Sequence, residues 1–377
     1  MAICWVLKLL IAKQVSWVRS PMHWAVLAFA LYATGRYFTS PIEYDSRLEL
    51  FHVGLYTLIY FLVASNLYRR RDRTVVVVAL MVLAVAEVVY GLWQFGRGAD
   101  VVLNADRPEQ YHGRASGTYI CPNHFAGFLE IVLAVLLARI AVHRPTTLSI
   151  EHRAIQKLLE IFVVVVVLVG IVTSLSRGGW VTTAALCVLF VLWGWRAKAV
   201  PAGVAVAVLG LLLFVGIIAP SVPAVRNRLA ETVVFAEGDK SVEIKDITMA
   251  GRTAMWRATV KIIRDHPVFG TGPLTWEWFQ LKYRDPRLQK RPRYAHNDVL
   301  HLASDYGAVG FVLVSSILGC FFWHAARLSR REDPSEQRAF AIGSAVAVGA
   351  IVVHSVVDFN MHIPANALLV VTLMGMT

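Results

Sequence analysis

The chain has 377 residues, 57% of them hydrophobic and only 16% charged, with a formal net charge of +12 and a mean hydropathy of +0.57. A soluble domain of this length carries nearer a quarter charged residues, so the composition excludes an ordinary soluble fold. The basic excess does not indicate nucleic acid, because it lies mainly in short loops between apolar stretches, where it orients helices and meets phospholipid.

Crossing about 30 Å of hydrocarbon takes about 20 mostly apolar residues. Residues 1–18 are apolar but broken by Lys8 and Lys13. No small-residue cleavage site follows them, so they read as an interfacial or imperfect first helix rather than a signal peptide. Less clean spans lie near 22–38 and 51–67. Clear ones follow near 74–95, 124–142, 157–175, 179–195, 198–219, 305–327 and 339–357. The last stretch, Pro364–Thr377, reaches only about 21 Å as a helix, too short for a full crossing. The expected fold is an all-α polytopic transmembrane helix bundle of about 9–11 membrane helices. Its expected parts are helices with short loops over 1–219, a long extracytoplasmic segment with short helices over 220–304, and C-terminal helices over 305–377. There is no internal repeat. Cys4, Cys121, Cys187 and Cys320 are too scattered for a disulfide framework or a zinc site.

Four basic loops set the orientation. They carry Arg69, Arg70, Arg71 and Arg73; His143, Arg144, Arg153 and Lys157; Arg196 and Lys198; and Arg327, Arg330, Arg331 and Arg338. Alternating the helices puts all four on one side, which the positive-inside rule makes cytoplasmic. The opposite side receives the loop at 96–123, the Ser176–Gly179 turn, the long segment and the turn at Asp358–His362. The long segment's own cations do not conflict, because the rule counts short loops.

Several residues on that side can carry chemistry. Arg177 stands between two apolar helices beside Gly178 and Gly179, which permit a sharp turn; it reads as an interfacial anchor or an anion ligand. Arg252 opens a helix running to about His266, stopped by Pro267 and Gly270. On a helical wheel Trp256, Val260 and Ile263 lie within about 80° of Arg252, while Arg257, Lys261 and Arg264 lie about 120–180° away. Those three form a solvated or headgroup-facing stripe. Arg252 alone shares the apolar face and so needs a partner or an anionic ligand. His296 aligns on a wheel with Leu300, Ala303, Gly307 and Gly310, above a small-residue face. It is either a hydrogen-bonded histidine at a helix start or a catalytic one. His301 lies about 140° from it, so the two are not a metal pair. With no Asp-x-Asp cluster either, the site reads as metal-free and without a cofactor. Asn123 is placed as a helix N-cap, and His354–Pro364 contains a polar turn with Asp358 and His362. Glu87, Glu130 and Glu160 are suspects as membrane carboxylates, with pairing inside the bundle as their ordinary role. The run from Lys282 to Arg293 packs six basic residues into twelve; it is a solvated stretch or one that draws an anionic lipid or phosphate.

This pattern resembles the O-antigen ligase and polymerase superfamily of bacterial membrane proteins. The ligase signature of His, Asn/Ser/Gln, nine residues, Gly, two residues and Gly/Thr/Tyr is matched by His296, Asn297, Gly307 and Gly310. Ser176–Gly179, Gly251-Arg252 with Trp256, Asp265–Gly272, Pro122–Gly127 and Asp358–Asn366 are also similar to family segments, in order, over roughly residues 75–375. The resemblance implies an inner-membrane enzyme with a periplasmic active face and an undecaprenyl-pyrophosphate-linked glycan as donor. It gives pyrophosphate binding to Arg177 and Arg252 and the general base to His296, with Asn297, Asn123, Asp358 and His362 in support. Guanidinium suits pyrophosphate, being always charged and able to bond bidentately. The implied acceptor is lipid A core for a ligase, or a second lipid-linked glycan for a polymerase. A transporter is the reading from another class, but inverted repeats and broken midplane helices are its signs, and the informative residues crowd one surface instead.

Overall fold

A computed structural model describes residues 20–143, 149–233, 249–288, 291–331 and 335–377. The expected first helix at 1–18, Arg144 of the second basic loop, and Gln289 and Lys290 of the basic run lie outside the described residues. The helices are α1 (Pro21–Phe38), α2 (Glu43–Asn66), α3 (Arg70–Arg97), α4 (Pro122–Val142), α5 (Ile150–Thr173), α6 (Arg177–Arg196), α7 (Ala202–Ile218), α8 (Pro223–Val233), α9 (Met249–Asp265), α10 (Trp276–Phe279), α11 (Asp298–Ser329), α12 (Glu336–His354) and α13 (Pro364–Met376). Among the described residues, eight helices are long and apolar enough to cross a membrane: α2 to α7, α11 and α12. The expectation of an all-α polytopic bundle is borne out. The apolar helix α13 has 13 residues, about 20 Å of rise, and starts with Pro364 at a position where a missing N–H costs nothing.

The chain divides into two compact units. One comprises Met1–Asp72, Val242–His324 and Met361–Thr377, the other Arg73–Ser241 and Ala325–Asn360. In the second unit α4 is the central helix, packed by α5, α6 and α12. Ala134, Ala138, Ala341, Gly343, Ala345 and Ala347 keep α4 and α12 close, and a Cβ on Gly343 would stand 2.9 Å from the Val135 Cα. The membrane carboxylates pair inside this unit, their ordinary role. Arg139 donates to Glu160 (2.9 Å) and Glu336 (2.7 Å), His354 Nδ1 lies 3.0 Å from Glu130, and Glu87 accepts from the Thr118 N–H and hydroxyl.

In the first unit α2 packs against α1 and α13. A second core of Met255, Ile262, Trp276, Leu288 and Ala295 holds α9 to α10 and to the approach of α11. The Trp276 indole N–H donates to Thr259 at 2.8 Å, satisfying both buried polar groups. Tyr306 of α11 joins Ala33 and Val53 in another cluster.

Candidate functional site

Within the first unit, α9 buries Gly251, Ala254, Met255, Ala258, Thr259 and Ile262, and exposes Arg257, Lys261 and Arg264 as expected. Arg252, Trp256, Val260 and Ile263 do not form the buried face; they lie on a half-buried flank. Met255 and Ile262 anchor the core side, with the small Gly251, Ala254 and Ala258 beside them, so the buried face is centred away from Arg252. On that flank the Trp256 indole donates to the carbonyls of Ala295 (3.1 Å) and His296 (3.3 Å). Arg252, one turn earlier on the same flank, is thus carried by a helix tied to the His296 peptide.

His296 is not a helical residue, which corrects its wheel alignment with Leu300 and the two glycines. It adopts left-handed backbone at φ 50°, and α11 begins only at Asp298. Asn297 takes the capping position: its side-chain oxygen accepts from Leu300 N at 3.0 Å and its carbonyl from His301 N at 2.9 Å. Asp298 then accepts from Met361 N at 2.9 Å and pairs with His362 Nδ1 at 2.6 Å. The His362 ring packs against those of Tyr294 and His301, at centroid separations of 4.9 and 4.4 Å. Burial alone would lower the His362 pKa, but the Asp298 hydrogen bond and charge, with Glu49 and Asp305 nearby, raise it above the ordinary value.

The Asp265–Gly272 segment is the mate of the Ser304–Ala308 turn of α11. Thr271 N donates to Ser304 O and Gly272 N to Asp305 O, while Ala308 N donates to Pro267 O, each at 2.9 Å. These bonds seat Pro267–Gly272 against a kink in α11, where Gly307 has φ 64° and ψ −166°. Gly270 is also left-handed, at φ 70°. A Cβ on Gly307 would meet the Val268 carbonyl and stand 2.5 Å from Gly270 N. The ligase-type glycine and the Asp265–Gly272 segment therefore belong to one backbone junction just beyond His296.

In the second unit Arg177 is the first residue of α6, and Ser176 caps that helix by accepting from Gly179 N at 3.1 Å. Leu175, just before the cap, is left-handed at φ 51°. Arg114 donates to the Ser174 carbonyl (2.9 Å) at the end of α5 and to Asn123 Oδ1 (3.0 Å). Asn123 Nδ2 donates in turn to Asp358 at 2.6 Å, and His124 Nε2 lies 3.7 Å from the same carboxylate. Asn123 is accordingly not the N-cap of α4. Pro122 occupies the first helical position and Cys121 is the cap, leaving the Asn123 amide to link Arg114 with Asp358. Arg228 Nε donates to the Leu175 carbonyl at 3.4 Å. Burial and the charge of Arg228 draw the Arg114 guanidinium down to about 10, against opposing pulls from Cys121, Tyr111 and Asp358. Three guanidinium groups thus attend the Ser174–Arg177 turn, and sequence reasoning named only Arg177. Nothing in the polar loop distinguishes Arg114 from Arg97 or Arg107.

An apolar cavity of about 590 Å³ lies among α4 to α8 of the same unit, lined by Leu133, Ile171, Trp180, Cys187, Val225 and Leu229 among others. Trp180 is on the helix that Arg177 opens, and Val225 and Leu229 are on the helix that carries Arg228.

Residues 162–315 match the family model described as O-Antigen ligase. The matched stretch contains Arg177, Arg252, His296, Asn297, Gly307 and Gly310. It bears out the resemblance to the O-antigen ligase and polymerase superfamily, whose members are membrane glycosyltransferase-like enzymes working on lipid-linked glycans. No curated protein matches the chain.

Proposed function

We propose that this multi-pass membrane protein, with its O-antigen ligase-type stretch at 162–315, is an inverting, metal-independent glycosyltransferase of the ligase kind. It moves a glycan from an undecaprenyl-pyrophosphate carrier to an acceptor hydroxyl on the periplasmic face of the bacterial inner membrane. The observation that carries this reading is the placement of His296: left-handed, just outside a capped helix, with its carbonyl bonded to the helix of Arg252.

In the proposed reaction the acceptor oxygen attacks the anomeric carbon as the bond from that carbon to the pyrophosphate oxygen breaks. His296 takes the acceptor's proton, the general-base task suited to an imidazole. Arg177 and Arg252 neutralise the negative charge that grows on the departing pyrophosphate, which is how two guanidiniums replace a metal. One displacement inverts the carbon. The apolar cavity beside Trp180 takes part of the carrier's prenyl chain, each buried methylene contributing about 0.8 kcal/mol.

The deciding experiment incubates purified protein with a lipid-linked donor and either lipid A core or a second lipid-linked glycan. Product on the core means ligase, a lengthened donor means polymerase, and neither returns the chain to the transporter reading. His296→Ala is expected to lower transfer by about 10²–10⁴-fold. If folded Arg177→Ala and Arg252→Ala proteins transfer at the normal rate, the pyrophosphate assignment fails.

A further inference from the structure

Resting on the reading of His296 as the base, we infer that His301 and Asp305 are positioning residues that hold the His296 backbone in its working conformation. Both are essentially buried, at 1% and 2% exposure, and they stand one turn apart on α11. His301 Nε2 lies 3.2 Å from Asp305 Oδ2, off the line of an ideal hydrogen bond. The other ring nitrogen, Nδ1, accepts from the backbone N–H of Ala295 at 3.4 Å. Since Nδ1 accepts, the ring proton of neutral His301 sits on Nε2 and faces the Asp305 carboxylate. The carboxylate fixes the tautomer, and the tautomer fixes an acceptor for Ala295.

Ala295 precedes His296, whose φ of 50° is sparsely populated for any residue with a side chain. Such a conformation persists only where its surroundings determine it from several directions. Here the Ala295 N–H is held by His301, the Ala295 and His296 carbonyls by Trp256, and the following residue by its capping role. The charged and titratable groups about His301 come from several elements. Asp298 and Asp305 share its helix, the His362 and Tyr294 rings pack tilted against its ring, and Glu49 of α2 lies within electrostatic reach of it. Trp276 flanks the ring on the remaining side.

The test uses the full chain and the transfer assay, with hydrogen–deuterium exchange of the peptide containing residues 294–298. His301→Leu removes both interactions; it should lower kcat by about 10²-fold, the cost of misplacing a reacting group by about 1 Å. KM for the donor should stay within about twofold, because uniform binding is untouched, and exchange at Ala295 should accelerate. His301→Gln supplies an amide oxygen for the Ala295 N–H and an amide N–H for Asp305, and should restore both kcat and protection. If His301→Gln folds but is as slow and as exchangeable as His301→Leu, or if His301→Leu keeps full kcat, the assignment is overturned. His296→Ala separates the two claims. An active His296→Ala protein sinks the general-base reading, whereas an inactive one beside fully active His301 variants sinks only the positioning role.

Discussion

Replacing Gly307 by alanine should damage the first unit more than any other single-methyl addition in α11. At φ 64° and ψ −166° the backbone occupies a region that essentially only glycine populates, so alanine there costs about 1–3 kcal/mol in strain. The added methyl also meets the Val268 carbonyl and stands 2.5 Å from Gly270 N, an overpacking worth about 1–3 kcal/mol. If Pro267–Gly272 withdraws instead, the bonds from Ala308 N to Pro267 O and from Val309 N to Val268 O are lost, at about 0.5–1.5 kcal/mol each. Either route gives roughly 2–6 kcal/mol, large against the 5–15 kcal/mol that typically separates folded from unfolded domains. Gly319→Ala is the control, on the same helix with nothing within 4 Å of the new methyl; it should be neutral or stabilising by up to about 1 kcal/mol. Thermal unfolding in detergent micelles, followed by tryptophan fluorescence, should show Gly307→Ala melting on the order of 10 °C below the control. Coincident melting of the two variants would refute the junction as described.

His362 gives a pH prediction. Its folded pKa is raised, so its stabilisation is fully present below the unfolded value of about 6.5 and is lost as pH rises through the folded one. The melting temperature should fall from the acidic toward the alkaline side of that window, and His362→Asn should flatten the fall; equal slopes would remove Asp298 as the cause. Arg139→Met removes the guanidinium shared by Glu160 and Glu336, both under 4% exposed. With Gln156 and Lys157 still on Glu160 and Thr74 on Glu336, the loss should reach about 3 kcal/mol, the lower end for a broken buried pair. Adding Glu160→Gln and Glu336→Gln should recover much of that loss in the same melting assay.

The spans were legible because apolar length alone decides whether a helix can cross hydrocarbon. Their places in the bundle were not. The α7 window has mean hydropathy 2.8 and is 6% buried, whereas the α4 window has 2.3 and is 94% buried. Lipid tails and packed helices are equally apolar, so hydropathy cannot tell them apart. Side-chain direction failed for related reasons. The wheel for α9 grouped Arg252 with Trp256, Val260 and Ile263, but the face that is buried is the neighbouring one, with Gly251, Ala254, Met255, Ala258 and Ile262. Pro122 moved the start of α4 by two residues and turned Asn123 from a cap into a link between Arg114 and Asp358. Asn297 captured the cap of α11, which left His296 outside the helix on which its neighbours had been counted. Asp298, His301 and Asp305 sit within nine residues of His296, yet their partners lie partly in distant segments, and proximity in sequence did not reveal them.

The left-handed residues connect these corrections. Leu175, Leu274 and His296 each stand immediately before the residue that caps a helix, respectively α6, α10 and α11. A left-handed residue there swings the chain abruptly into the helix start, so that side chains at the turn point away from the axis they would otherwise follow. In α6 the turn delivers Arg177 at the first helical position, and in α11 it delivers His296 just ahead of the cap. Each of those two turns also has its carbonyl held by a long donor from another helix: Arg228 bonds the Leu175 carbonyl and Trp256 the His296 carbonyl. A conformation costing about 1–3 kcal/mol would relax if its surroundings allowed it. Donors from α8 and α9 supply the constraint that the local sequence lacks. Arg177 and His296 are therefore each set by the same kind of device, a strained turn held from outside its own helix, and neither can be moved by altering helix propensity alone.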